Sequence, residues 1–237
     1  MLGRAALAMW WSVAPEVRDE WQHWHAHEHF PERLGLPGFL RASRWTDAAG
    51  GEGFFVLYEL QDHAVLASQA YLARLNAPTP WSVRMMPLHR GMIRAQCRVM
   101  LSRGGVTARQ VLTIRCAPAD GQGDTLQAGL AALAARVVHQ PGIAGLHLLR
   151  HEAPALAPTT EQQIRGNADR GADWVILVTA YDPAALAQLA DGELGEAALQ
   201  ALGAAPGTER QLYALAQAAT PGDVQPADPD PNKETTR

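Results

Sequence analysis

Pro37-Gly38-Phe39 recurs 104 residues further on as Pro141-Gly142-Ile143. Each copy stands between a segment patterned as a helix and a segment patterned as a strand. Upstream of the first copy, Ala5 to Ser12 reads as a strand, and a helix starts near Pro15, a residue suited to a first helical turn, and runs to His29. The segment from Pro31 to Gly38 is expected to be a turn. Downstream come a strand from Phe39 to Thr46, a Gly-rich turn at Ala48 to Gly53, and an apolar strand from Phe54 to Leu60. Asp62 is placed to cap a helix reaching Asn76. A Pro-containing loop, Ala77 to Pro87, then leads to a strand from Gly91 to Ser102. The order is β-α-β-β-α-β.

The second half repeats that order. Its elements are a strand Arg109 to Ala117, a helix Asp124 to His139, a strand Ile143 to His151, a strand Asp173 to Tyr181, a helix Pro183 to Ala190 and a strand Arg210 to Ala216. A second local match supports duplication: Asp62-His63-Ala64-Val65-Leu66-Ala67 resembles Asp182-Pro183-Ala184-Ala185-Leu186-Ala187, at an offset of 120. The two offsets differ by 16 residues, which fall in the long polar connection Glu152 to Arg170, where chain entropy tolerates an insertion. The expected units are residues 1–104 and 105–219. Residues 220–237 are expected to be a disordered tail, being rich in Pro, Asp and Thr with almost no large apolar side chain.

Each four-stranded antiparallel unit covers one sheet face with its own helices and leaves the other bare. Packing the two bare faces together buries both, so the fold class is α+β. At 237 residues the chain is long enough for a real core, and its 47% hydrophobic and 19% charged composition is that of an ordinary globular protein. A formal charge of -4 argues against a nucleic-acid or membrane-surface partner. No stretch approaches the roughly 20 apolar residues of a bilayer span, and Met1 to Trp11 reads as a first strand instead of a leader. Cys97 and Cys116 lie in strand-like segments and read as core residues of a reducing compartment, so a cytoplasmic protein is expected.

The densest chemical signal is Trp21-Gln22-His23-Trp24-His25-Ala26-His27-Glu28-His29-Phe30-Pro31-Glu32-Arg33. At 3.6 residues per turn, Trp21, His25, Glu28 and His29 share a face and His23 and His27 share another. The face bearing Trp21 is the better candidate to look inward. A carboxylate beside an imidazole raises its pKa and fixes its tautomer, the conditions for a general acid or base.

This stretch, continued by Pro37-Gly38-Phe39 and the pair Arg44-Trp45, resembles bacterial EthD-like and related dimeric α/β barrel proteins. Their pattern is Trp-Tyr-x-x-Glu-His-x-Pro-Glu followed by Pro-Gly-Phe and a basic-aromatic pair. His25 stands here in place of the Tyr, while Glu28, His29, Pro31 and Glu32 match, and Pro78-Thr79-Pro80-Trp81 is a further likeness. The resemblance covers about the first 100 residues. It implies two tandem ferredoxin-like units forming an intramolecular dimeric α/β barrel. Relatives include heme-dependent enzymes, cofactor-free monooxygenases, muconolactone isomerases and polyketide cyclases, so fold alone selects no reaction. In the second half the positions offset by 104 from His25, Glu28 and His29 are Gly129, Ala132 and Leu133, so a single site in the first half is expected.

His25-x-x-Glu28-His29 also matches the inverted zinc-protease pattern. That chemistry needs a further downstream carboxylate ligand in a much larger domain, and no Glu occurs between Glu59 and Glu152, so no metal is expected. Arg84, His89, Arg90 and Arg94 could reach a ligand carboxylate from the fourth strand and the loop before it. Tyr58 could donate a hydrogen bond into a pocket, and His63 reads as a surface residue at a helix start. There is no phosphate-binding Gly-rich loop and no nucleophile elbow.

The sequence therefore leads to a cofactor-independent enzyme, an isomerase, lyase, cyclase or cofactor-free oxygenase, acting on a small organic molecule. His29 is the expected proton-transfer residue, Glu28 its orienter and His25 an auxiliary donor. Trp24, Trp45, Tyr58, Arg44 and Arg90 are the expected substrate contacts. The alternative is a non-enzymatic binding or accessory protein, and either could pair as a homodimer.

Overall fold

In the computed structural model, which describes residues 1–166 and 172–224, eight strands form one closed antiparallel barrel. The strands are β1 Ala5–Ser12, β2 Phe39–Asp47, β3 Gly53–Leu60, β4 Arg90–Gly104, β5 Gln110–Cys116, β6 Ile143–His151, β7 Trp174–Ala180 and β8 Glu209–Ala219. Their order around the barrel is β1-β3-β2-β8-β5-β7-β6-β4. The first four strands thus run 4-1-3-2, and the last four repeat that order. Two seams join them: β2 pairs with β8 and the long β4 pairs with β6. The bare sheet faces turn inward as expected, and pairing of their edges leaves no strand edge open.

Strand alternation sorts side chains into two layers. Along β1, Ala6, Ala8 and Trp10 join Trp45, Phe55, Leu57, Ile93, Val111, Leu149, Val175, Leu177 and Tyr213 inside the barrel. Trp10 and Trp45 both stack on Phe55, with ring centroids 5.0 and 5.1 Å apart. Leu7, Met9 and Trp11 face outward, toward the first half's helices. Cys97 lies in the interior and Cys116 in the outer core of the second half, both free thiols pushed up to about 12 by burial.

The two Pro-Gly corners share their local geometry. Gly38 and Gly142 have φ of +88° and +93°, and a Cβ on either would stand 2.4 Å from Val65 Cγ2 or Ala185 Cβ respectively. Only glycine tolerates both the left-handed backbone and that close approach. Each glycine carbonyl accepts a backbone bond from the end of the third strand of its unit, Gln61 at 2.8 Å and Tyr181 at 3.0 Å. Asp62 and Asp182 each accept from the amide two residues on, at 2.9 Å.

Four expectations change. The first helix does not end at His29. After a 3-10 turn, Pro15–Val17, helix α1 (Arg18–Trp24) passes through a π turn, His25–His29, into α2 (Phe30–Leu34). Pro31 explains the π turn: it has no N–H to offer His27 and its ring crowds that carbonyl, so the helix widens, and the Phe30 amide reaches back to His25 O. Asp62 caps only a 3-10 turn, His63–Ala67, and Ser68 caps the helix α3 that follows, Gln69–Asn76. The expected loop before β4 contains α4, Pro80–Met85, capped by Thr79 with Pro80 in the first turn, and a 3-10 turn Met86–Leu88. Helix α5 is Gly123–Val137.

The polar connection after β6 carries the fourth change, a helix α6, Thr160–Arg165, closed by a capping box between Thr159 and Gln162. Helices α7, Pro183–Asp191, and α8, Glu196–Ala201, complete the second half. Of the expected disordered tail, Pro221–Asp223 forms a 3-10 turn and Val224 packs on the first-half core, while 225–237 lie outside the described residues.

Candidate active site

A cavity of about 230 Å³ lies between the outer face of the first half's sheet and its helices. Its floor is built from alternate strand positions: Leu7, Met9 and Trp11 of β1, Tyr58 of β3, and Met92, Arg94 and Gln96 of β4. His25, His29 and Arg33 form one wall, with Tyr71, Leu75, Met86 and His89 on others. The roof comes from the second half, from Ala153 to Arg165. The first half joins β2 to β3 by a short turn, whereas the longer connection after β6 reaches over this cavity because β6 is paired with β4.

Five lining residues carry a buried polar atom without a hydrogen-bond partner: Trp11 Nε1, His25 Nδ1, His29 Nδ1, Tyr58 OH and His89 Nδ1. Native interiors satisfy such groups almost everywhere, so their concentration around one cavity singles it out as the candidate site. His25 and His29 are in ring contact, and His89 joins them through Trp11. His25 and His29 rings are 5.4 Å apart, and Trp11 lies 4.7 Å from His89 and 6.2 Å from His25. Burial holds all three histidines well below the ordinary imidazole pKa, and nearby cations add to it: Arg44 for His25, Arg33 for His29 and Arg165 for His89. They are therefore neutral at neutral pH. Burial also raises the Tyr58 phenol, which stays a donor.

Roof and wall are joined by a buried ion pair. Glu161 of α6 bonds Arg33 of α2 and also pairs with Arg165 at 3.7 Å, and both Arg33 and Glu161 are almost wholly buried. Arg33 bonds Glu32 as well, at 3.3 Å, and Glu32 reaches Arg74 at 2.7 Å.

No protein-family model matches the sequence, and no curated protein matches it. Solved structures match its shape. An "anthrone oxidase-like protein" has a TM-score of 0.60 at 14% identity, covering 95% of this chain and 96% of its own. A "putative monooxygenase" from Fusobacterium nucleatum subsp. nucleatum scores 0.61 at 10% identity over 93% and 96%. Another from Lactobacillus acidophilus scores 0.59 at 9% over 92% and 97%. The fold is the dimeric α/β barrel.

In this dimeric α/β barrel the two halves of one chain differ where it matters for a site. The outer layer of the second half is packed with Leu126, Leu130, Leu133 and Val137. At Gly129, the position offset from His25, an added Cβ would lie 2.8 Å from Leu202, so that space is filled from α8's end.

The expected site residues divide. His25, His29 and Tyr58 line the cavity. Glu28 does not orient His29: its Oε1 accepts from Thr79 Oγ1 at 2.5 Å, Trp24 Nε1 at 2.9 Å and Ser82 Oγ at 3.1 Å, and so ties α4 to the first helix. Trp24 packs behind His29 at 4.7 Å without lining the cavity. Trp45 faces the barrel interior, on the other side of the sheet. Arg44 lies over the Trp21 ring and bonds Gln22 O at 3.2 Å, its pKa lowered to about 10 by burial. Arg90 is exposed and pairs with Glu52, and Arg84 is exposed too. His63 is buried, its Nε2 2.6 Å from Glu152 O, so it is no surface residue.

His89 and Arg94, grouped with the weaker candidates by sequence, are in the lining, as are Trp11, Arg33, Tyr71 and Glu161, which sequence reasoning missed. Outward alternation along β1 and β4 could have pointed to Trp11 and Arg94. No local signal marks Glu161. His23 and His27 stack at 4.5 Å away from the cavity. Among the described residues, no group of three or more His, Cys, Asp or Glu is arranged to hold a metal ion, and no helix is long and apolar enough to cross a membrane.

Proposed function

We propose that the protein is an enzyme that binds a small, planar, partly apolar organic molecule in the first-half cavity and moves a proton there without a cofactor. The observation that carries this is the ring of partnerless polar atoms on Trp11, His25, His29, Tyr58 and His89 around a cavity whose floor and sides also present the apolar Leu7, Met9, Leu75, Met86 and Met92. A cavity of about 230 Å³ exceeds the roughly 150 Å³ that accommodates benzene and falls short of the roughly 300 Å³ where drug-sized pockets begin, so one to three fused rings suit it.

His29 is the proton acceptor. It is the more open of the two helix imidazoles, 8% exposed against 1% for His25, and it is neutral and so ready to take a proton. Removing a proton from carbon beside a carbonyl leaves an enolate, whose oxygen can be met by the Tyr58 hydroxyl and indole or imidazole N–H groups. Returning the proton elsewhere completes an isomerisation. Reaction of the carbanion with dioxygen completes a cofactor-free oxidation, as in anthrone plus dioxygen giving anthraquinone plus water. The names of the structural neighbours favour that second course.

The test is turnover of anthrone and related enolisable ketones in air with no added cofactor, together with deuterium exchange at the acidic carbon followed by NMR. His29→Ala should lower either rate about 100- to 10,000-fold. An unchanged rate in His29→Ala, or no turnover and no exchange with any ketone, removes the enzymatic reading. The second reading, a binding protein without turnover, is favoured by the engagement of Glu28 elsewhere, which leaves His29 without a carboxylate to raise its basicity.

A further inference from the structure

The cavity floor holds a cation that no carboxylate among the described residues neutralises. Arg94 is half-buried on β4, and among the described residues no carboxylate lies within ion-pair distance of it. Its one hydrogen bond runs from Nη2 to Tyr71 OH, at 3.1 Å. That bond uses Tyr71 as acceptor, and no hydrogen bond among the described residues has the phenol as donor. A guanidinium and a free O–H therefore stand side by side, both donors. The one carboxylate in the lining, Glu161, is already taken by Arg33 and Arg165.

Strand register fixes the distance from this donor pair to the imidazoles. Arg94 is paired with Met9, one outward position along β1 from Trp11, so about 6.6 Å separates the two levels. Trp11 is the ring that His25 and His89 surround. The gap is about the width of a fused aromatic ring system.

We propose that the cavity selects a planar aromatic carboxylate, its carboxylate held by Arg94 and Tyr71 and its ring lying against the imidazoles. The inference rests on the small-molecule reading above and names its substrate class. Arg94 supplies the fork geometry that a carboxylate accepts from, and Tyr71 a second donor. Apolar Met9 and Met92 on either side of the floor suit the ring edge.

The test is calorimetric binding of two matched probes, 2-naphthoate and 2-naphthamide, which differ in charge and hardly in shape. The wild-type protein should bind the naphthoate about 10- to 100-fold more tightly, the range of a charge-assisted hydrogen bond. Arg94→Gln should erase that preference while leaving naphthamide affinity within about twofold, and Arg94→Lys should keep part of it. Tyr71→Phe should lower naphthoate affinity alone. Equal affinities for the two probes, a preference that survives Arg94→Gln, or no binding of either probe overturns the proposal. Because the readout is binding, selective naphthoate binding without any turnover sinks catalysis and not this proposal, and turnover of neutral ketones without anion preference does the reverse.

Discussion

Trp21 Nε1 donates a hydrogen bond to His89 Nε2 at 2.8 Å, and that bond decides where His89 carries its proton. An indole nitrogen can only donate, so Nε2 must be the bare acceptor and the neutral ring holds its hydrogen on Nδ1, the atom that faces no partner. His89 is thereby a donor where His29 is read as an acceptor. Nitrogen-15 NMR of the histidine rings should show the Nδ1–H tautomer for His89, and Trp21→Phe should mix the two tautomers. The same substitution should destabilise the fold by at least the roughly 1–3 kcal/mol of an orphaned buried acceptor. A pure Nε2–H tautomer in the wild-type protein would contradict the arrangement.

Acid should unfold this protein by way of its histidines. His25, His29 and His89 are held below the ordinary imidazole value of about 6.5 by burial, and His147 is lowered to about 4, again chiefly by burial. Above about pH 6.5 neither state carries a proton on them. As pH falls below that, the unfolded chain binds protons that the folded one refuses, so stability is lost until pH passes the folded values. Each such histidine contributes a slope of up to about 1.4 kcal/mol per pH unit. Melting temperature should be flat from pH 7 to 8 and drop steeply from 6.5 toward 4, with a shallower fall in His147→Gln. A melting temperature independent of pH across that window would show that the rings charge freely in the folded state.

Strand periodicity and the repeated Pro-Gly corner made the fold legible in the sequence, because left-handed glycine and alternating burial are local requirements. The site was legible only as far as helix geometry stayed regular. A regular 3.6-residue turn puts Glu28 on the face of His29, whereas the π turn imposed by Pro31 winds less per residue, so Glu28 falls toward Thr79 and Ser82. Glu161 and the roof were illegible for another reason. A polar connection carries no periodic signal, and its position over the first-half cavity follows from the β4–β6 seam, a pairing that no local pattern announces.

The packed layer of the second half offers a control. Leu133 stands at the position offset from His29 and lies in a core with Leu130 and Val137. Leu133→Ala should cost about 2–5 kcal/mol, read by chemical denaturation, and leave ligand affinity untouched. Lost affinity at full stability would place a second site there.

The roof should depend on the Arg33–Glu161 pair. Both side chains are only 3% exposed, and removing one charge leaves the other buried without compensation. Glu161→Gln should therefore destabilise by about 3–5 kcal/mol, and hydrogen exchange should rise in α6 before it rises in β4. Replacement of both residues by apolar ones should recover much of the loss. If Glu161→Gln melts like wild type, the pair is not what holds the roof down.

Glu28 and His29 are chain neighbours with separate tasks, and paired substitutions should separate them. Glu28 accepts hydrogen bonds from Trp24, Thr79 and Ser82 and so joins α1 to α4, with no bond to His29. Glu28→Ala strands those donors, Trp24 Nε1 and Ser82 Oγ retaining only each other at 3.2 Å, so it should lower stability by about 1–3 kcal/mol. It should leave naphthoate affinity and any turnover near wild type once measured well below the melting temperature. His29 has no partner for Nδ1 and faces the cavity, so His29→Ala removes no hydrogen bond from the fold. Its main structural cost is the contact with the Trp24 ring, 4.7 Å away, and it should melt close to wild type while losing turnover. Melting temperature and rate, taken on both variants, give a crossed pattern if the tasks are separate. The opposite crossing, with Glu28→Ala inactive at full stability, would restore the carboxylate–imidazole pair as the working unit and make the hydrogen bonds to α4 incidental.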